Sequence, residues 1–410
     1  MASLRPLIPL LLAAGILLAG NGMQGTLIAL RGADEGFSPA AIGLMGTAYF
    51  AGFLIGCFSV PRLLRRVGHI RTFASLAALA SAGTLLLVLA IDPLVWVAVR
   101  LLTGICFAGL FTVMESWINA AASNTDRARV LAVYRIVDIV AVTGSQYLIP
   151  VFGVDGFTVF AVMAIMITLS LVPVSAGDRS NPQPPEAFRL DLAAVWRISP
   201  LAAMGCVAIG MTNGAFRLIG PVYAQEIGLT TAEIATFISA GIIGGAVMQY
   251  PLGAWSDRHG RRGVLLVSTT LAMAAALAIL FLAGDRPWSN FLAVFFFGAF
   301  AMPLYSLSAA HANDHAGKGE FVQVAAGLMF FYSIGAIVGP TAASWLMERF
   351  GPSALFAFSA AVYAGFIALT LYRMGVRPSV PAERRRRFIA LLRTSPVFAR
   401  LARRGARERP

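Results

Sequence analysis

The sequence predicts an all-α membrane protein with twelve transmembrane helices in two pseudo-symmetric six-helix bundles. Three observations predict it. The 410-residue chain is 58% hydrophobic and 12% charged, with a mean hydropathy of +0.77, whereas soluble domains carry about a quarter charged residues. Its apolar residues fall into twelve runs, each near the roughly 20 residues that cross hydrocarbon. Residues 21–68 also repeat as 213–260 at a constant offset of 192. Asn21-Gly22 falls on Asn213-Gly214, Ser38 on Thr230, Ala40 on Ala232, Ile42 on Ile234, Gly52 on Gly244, Arg66 on Arg258 and Gly68 on Gly260. An internal repeat in a chain this apolar points to two bundles around a solute path.

The runs are 7–30, 40–60, 71–91, 94–122, 128–152, 156–174, 198–224, 231–254, 263–283, 288–311, 320–346 and 353–373. Leu, Ala and Gly dominate them and strict alternation is missing, so they read as helices and not as barrel strands. The first reads as a membrane span: it is too long for a signal-peptide core and shows no clear cleavage site. Residues 175–197, rich in Pro, Ser and charge, read as a cytoplasmic linker between bundles 1–174 and 198–373. Residues 374–410 form a basic tail. Its interleaved Arg and apolar residues read equally as an amphipathic surface helix on anionic lipid or as a disordered topology anchor.

Charge sets the orientation. With both termini in the cytoplasm, 26 of the 32 Lys and Arg residues face inward, twelve of them from residue 373 on. The outer side receives Arg31, Arg286 and Arg349, while Arg100, Arg135 and Arg217 lie inside spans. This is the positive-inside bias, and it places the chain in the inner (cytoplasmic) membrane as a multi-pass protein. The net charge of +13 therefore reports topology and anionic lipid, not nucleic acid. Cys57, Cys106 and Cys206 all fall inside spans and read as buried thiols. No metal-ligand spacing, phosphate-binding loop or nucleophile elbow occurs, so the sequence predicts no enzyme, no cofactor and no ATP-driven pump.

The segment Gly253 to Arg262 reads GAWSDRHGRR. It resembles the loop signature of the major facilitator superfamily, in its second-half copy, through Gly253, Asp257, Arg258, Gly260, Arg261 and Arg262. The glycines permit a tight turn and close helix approach. Asp257 is placed to pair with an Arg or a helix terminus, a latch that would gate the rocking of the bundles. The first-half copy departs from the signature, with Arg65 where the acid should stand. Arg100 to Gly104 resembles the superfamily's R-x-x-x-G motif, which is linked there to proton coupling. Gly335 to Pro340 has the G-x-x-x-G-P form, whereas the antiporters of the superfamily carry that form in span 5. Here span 5 reads Gly144-Ser145-Gln146-Tyr147-Leu148-Ile149-Pro150 and lacks the second glycine. The whole pattern, including MESWIN in span 4, is most similar to the YcaD-like bacterial branch. The resemblance implies secondary transport, with spans 1 and 7 lining the central path, and brings no substrate with it.

Ionisable groups inside a bilayer are expensive and default to functional candidates. Glu115 lies fifteen residues past Arg100 on the same span. Arg135 and Asp138, at i and i+3, share a face of span 5. Glu115, Arg100, Asp138 and Arg135 are thus the proton-coupling candidates. The alternatives are a structural ion pair for Arg135 and Asp138, local hydrogen bonds for Glu115, and snorkelling for Arg100. Substrate-binding candidates are Arg217, Asn21, Gln24, Asn213, Tyr305 and Gln249, with Gln146 and Tyr332 weaker. Arg217 suits an anionic group or else snorkels, and the amides equally suit helix-to-helix bonding. His311 and His315 read as solvated loop residues at the inner end of span 10, with a pH sensor as the alternative, and Phe295, Phe296, Phe297 and Phe300 as packing or lipid-facing groups.

The expected function is a proton-coupled secondary transporter working by alternating access on a small polar or amphipathic solute. A multidrug/proton antiporter, or a non-transporting membrane sensor or scaffold of the same fold, are the alternatives. The expected partners are the small-molecule substrate, protons, and anionic lipid at the tail. The chain is expected to act as a monomer.

Overall fold

The structure is a computed structural model describing residues 7–121, 127–176, 191–282, 286–317 and 320–376, together with Phe388. Its helices are α1 (Ile8–Asp34), α2 (Pro39–Val67), α3 (His69–Leu89), α4 (Pro93–Ala121), α5 (Arg127–Gln146), α6 (Leu148–Phe152), α7 (Thr158–Leu169) and α8 (Leu171–Ala176). There follow α9 (Leu192–Ile198), α10 (Pro200–Glu226), α11 (Thr231–His259), α12 (Arg261–Leu282), α13 (Pro287–Ala301), α14 (Leu304–His315), α15 (Phe321–Phe350) and α16 (Ala354–Val376). The described residues contain no strand. They form twelve helical spans long and apolar enough to cross a membrane, with α5–α6, α7–α8 and α13–α14 each making one broken span. The chain is a multi-pass membrane protein. In the α13–α14 span the break falls at Pro303, which has no N–H to donate and crowds the preceding turn.

Within the segment 175–197, the last residues form the short helix α9. Asp191 caps that helix by accepting from the N–H of Ala194. Its apolar face buries Val195 against Gly327 of α15, where no side chain stands in the way. The tail expectations and residues 177–190 lie outside the described residues, apart from Phe388.

The internal repeat recurs in backbone detail. Gly36 and Gly228 both take positive φ just before a span, as do Gly68 and Gly260 in the turns after α2 and α11. Ser38 caps α2 by accepting from the Ala41 N–H, and Thr230 caps α11 by accepting from the Glu233 N–H. All four pairs keep the offset of 192. The helix crossings repeat too. A Cβ on Gly52 would meet the Leu101 carbonyl, and one on Gly104 the Tyr49 carbonyl; in the second copy Gly244 meets Phe295 and Gly298 meets Gly241 in the same way. Bare backbone at these four positions lets α2 close on α4, and α11 on α13.

Contacts divide the described residues into two units, one within Met1–Arg31 and Ala48–Ala187, the other within Gly32–Thr47 and Phe188–Leu391. In the first unit, α3 packs between α4 and α7, and Gln146 of α5 bonds back to α1. The second unit centres on α10, which packs on α15 through Gly210, Gly335 and Gly339. Its aromatic core joins Phe216, Phe237, Tyr223, Phe297, Phe356 and Tyr363. Phe297 is buried there while Phe296 is exposed. The second unit also includes the start of α2, where Thr47 bonds the hydroxyl of Thr341 at 2.7 Å.

Candidate functional site

Polar side chains inside the first unit converge from four helices. Arg100 on α4 does not snorkel: it is 4% exposed and turned inward. Its Nη1 donates to Oε1 of Gln24 on α1 at 2.6 Å, and its Cζ lies 4.2 Å from the ring centroid of Tyr49 on α2. A guanidinium over an aromatic face is attracted by the ring quadrupole. Gln24 donates in turn to Thr84 of α3 at 3.5 Å, and Tyr49 donates its O–H to Oδ1 of Asn21 at 2.9 Å. The structure thus joins three of the sequence candidates, Arg100, Gln24 and Asn21, and adds Tyr49 and Thr84, which sequence reasoning passed over. Tyr49 had a signal: it stands three residues before the repeated Gly52, on the face that meets α4.

A second cluster in the same unit surrounds Glu115, which is 1% exposed on α4. It lies within electrostatic reach of Cys57 and Tyr134, and Tyr134 also feels Arg135 and Asp138. Arg135 and Asp138 form an ion pair at 3.0 Å, both partly buried. Next to Glu115, Ser116 bonds the buried His69 at 3.1 Å, and the His69 ring lies 5.6 Å from that of Trp117. His69 was not singled out in the sequence. Gln146 serves as helix-to-helix glue, accepting from Thr26 at 2.7 Å and donating to the Gly22 carbonyl at 2.9 Å.

The second unit has its own polar interior. Asn213 donates to the hydroxyl of Tyr332 at 2.7 Å, and that ring stands edge-on to Tyr305 at 5.6 Å. Gln249 donates to Ser306 at 2.8 Å. Tyr305 and Ser306 follow the break at Pro303, and a broken span is where transporters of this architecture place binding groups. Arg217 is half-buried one turn beyond Asn213 on α10. Asn213, Tyr305 and Gln249 therefore share one neighbourhood through Tyr332 and Ser306. The histidines differ from expectation: His311 is buried on α14, its ring 4.6 Å from that of His315.

The loop signature folds into an ionic clamp. Arg261 sits between two acids, with Asp257 at 2.5 Å and Asp314 at 3.0 Å, and also donates to Ser256. The Arg261 side chain is 3% exposed and that of Asp314 1%. Arg262 is buried while Arg258 faces out. Gly260 supplies the positive φ of the turn. The Phe388 N–H donates to both carboxylate oxygens of Asp257, at 3.0 and 3.1 Å. Its ring covers Gly253, where a Cβ would collide with it. Asp314 was missed in the sequence, although a buried arginine at 261 demands an acid. Among the described residues no group of His, Cys, Asp and Glu is placed to hold a metal ion.

Comparison with known proteins agrees with this architecture. The model of the Major Facilitator Superfamily matches residues 10–326 and 202–406. An uncharacterized MFS-type transporter of Enterobacter sp. (strain 638) is 27% identical over 389 residues, covering 92% of this chain and 98% of that relative. The uncharacterized MFS-type transporter YcaD of Escherichia coli O139:H28 is 26% identical over 385 residues, covering 92% and 98%. Among solved structures, the nucleoside transporter NupG superposes with a TM-score of 0.75 at 12% identity, over 90% of this chain and 98% of that one. A bacterial homologue of the lysosomal transporter Spinster, inward-facing and unoccupied, gives 0.65 at 13% identity, over 98% of each chain. At those identities the two structures speak for the fold.

Proposed function

Because the chain belongs to the Major Facilitator Superfamily, we propose that it is a secondary transporter that works by alternating access and couples a small polar or amphipathic solute to protons. It lies in the inner membrane with both termini cytoplasmic, as its Lys and Arg distribution favours. The observation that carries the coupling is Glu115, a carboxylate 1% exposed within a membrane span. An ionised carboxylate buried within a span is costly, and binding a proton removes most of that cost. Its neighbours supply the means to change its affinity for the proton. Tyr134 links its surroundings to the Arg135–Asp138 pair, and any movement of α5 against α4 alters the charge that Glu115 faces.

Two features favour a polar solute over drug export. Span 5 lacks the second glycine of the antiporter motif, and a Cβ on its Gly144 would meet nothing within 4 Å among the described residues. The second unit groups Asn213, Tyr305, Tyr332 and Gln249, with Arg217 one turn away, which suits hydrogen-bonding solutes. Asp257, Arg261 and Asp314 hold the α11–α12 turn as a latch that the transport cycle would release.

The test begins with a thermal-shift screen of the purified protein against metabolite and drug panels at two pH values. The stabilising solute is then offered to proteoliposomes under an imposed pH gradient. Wild type accumulates it, whereas Glu115→Gln retains exchange of labelled for unlabelled solute but no longer responds to the gradient. Gradient-driven accumulation by Glu115→Gln at the wild-type rate would remove Glu115 from the mechanism.

A further inference from the structure

Arg100 presents a charge that proton coupling through Glu115 does not use. A guanidinium stays protonated at any physiological pH, so Arg100 cannot itself carry a transported proton. Among the described residues no carboxylate pairs with it. Asp138 is engaged by Arg135 at 3.0 Å. Glu115 lies fifteen residues further along α4, about 22 Å away at 1.5 Å per residue. The neighbours of Arg100 are neutral, the Gln24 amide and the Tyr49 ring.

The hydrogen-bond inventory of the cluster is one-sided. Its acceptors are engaged: Gln24 Oε1 by Arg100, Asn21 Oδ1 by the Tyr49 hydroxyl, and the Thr84 hydroxyl by Gln24. Donors remain. Arg100 Nε is buried with no hydrogen-bond partner. Asn21 Nδ2 has none among the described residues, and Asn21 is the half-buried edge of the cluster. An occupant of this place has to bring lone pairs and negative charge. The Nε edge of a guanidinium, here buried without a hydrogen bond, fits the fork of a carboxylate or phosphate.

We propose that Arg100 and Asn21, held by Gln24 and Tyr49, bind the oxyanion of the transported solute, so that the substrate is a small organic carboxylate or phosphate. The proposal rests on the transporter reading above and deepens it. Gln24 and Tyr49 act as positioning residues: one fixes Nη1 and leaves Nε without a hydrogen bond, and the other orients the Asn21 amide. The anion supplies the counter-charge that the fold withholds, so occupancy relieves a buried unneutralised cation.

The experiment is equilibrium thermal shift on the purified full chain, at constant ionic strength set with sodium chloride. The probes are matched pairs: benzoate and benzamide, succinate and succinamide, glycerol 3-phosphate and glycerol. At least one anion is expected to raise the midpoint where its neutral partner does not, and the responding pair tells carboxylate from phosphate. Arg100→Gln should weaken the apparent affinity for that anion by about tenfold or more, the loss of one charge-assisted contact. Asn21→Ala should weaken it several-fold, and Arg100→Lys should retain part of it. If Arg100→Gln fails to fold, the last two variants carry the comparison. Equal binding by wild type and the folded variants, equal stabilisation by anions and their neutral partners, or no anion response at all would each overturn the proposal. No gradient is involved, so the outcomes separate. Anion binding without gradient-driven accumulation removes the transport reading and leaves the site, whereas gradient-driven accumulation of neutral solutes alone does the reverse.

Discussion

Replacing Gly339 by Ala tests whether α15 and α10 meet backbone to backbone. The added Cβ would lie 2.6 Å from Cα and 2.7 Å from the carbonyl carbon of Met211. Carbon atoms rest about 3.5–4.0 Å apart, so α15 must retreat by roughly 0.9 Å or more along this face. The neighbouring crossings at Gly335 and Gly210 are equally close, and the retreat loosens them together. Overpacking of a well-filled interior costs about 1–3 kcal/mol. At about 2–4 °C per kcal/mol for units of this size, the thermal midpoint should fall by roughly 2–12 °C. The assay is the fraction of monodisperse protein surviving a heating series, read by size-exclusion chromatography. Gly144→Ala is the internal control, since a Cβ there meets nothing within 4 Å. It should hold or raise the midpoint, because Ala is a better helix former than Gly by about 0.8–1.0 kcal/mol. Equal losses for the two variants, or no loss for Gly339→Ala, would refute the close-crossing account.

Two further outcomes follow from burial. Cys57, Cys106 and Cys206 are buried thiols, so a membrane-impermeant maleimide should label none of them in the folded protein and all of them in dodecyl sulfate, read by intact mass. Gln146→Leu removes bonds to Thr26 and Gly22 across α1 and α5. At about 0.6 kcal/mol for an average bond within a membrane, it should lower stability by about 1 kcal/mol, measured by the same heating series.

Much of the fold was legible because its determinants are periodic or local. Hydropathy placed twelve spans, and the offset of 192 aligned Ser38 with Thr230 and Gly52 with Gly244, which prove to be paired caps and paired helix crossings. Legibility stopped where partners come from distant helices. Arg100 and Gln24 are separated by 76 positions, and Asn213 and Tyr332 by 119. No local pattern says whether a charge in a span turns toward lipid or toward a neighbour, which is why Arg100 also read as snorkelling. The short α9 was hidden by composition: its Leu-Ala-Ala-Val-Trp run is amphipathic over only 7 residues, too short for periodicity to separate it from a linker.

The two copies of the loop signature show how a duplicated element can keep its backbone and exchange its chemistry. Gly68 and Gly260 hold the same turn. At the offset of 192, Asp257 stands over Arg65 and Arg261 over His69. In the second copy the buried arginine is clamped by Asp257 and Asp314. In the first, His69 occupies the same place and makes a bond to Ser116 at 3.1 Å. An ionic clamp and a hydroxyl–imidazole bond fail differently. Removing one partner of a buried ion pair strands a charge and costs about 3–5 kcal/mol. Asp314→Ala should fall at the lower end, about 3 kcal/mol, because Asp257 still faces Arg261. Ser116→Ala deletes one hydrogen bond and should cost about 1 kcal/mol. If chemical-denaturant unfolding gave the two variants the same loss, the clamp would contribute no more than the bond that replaced it. The divergence of the copies would then have no energetic basis.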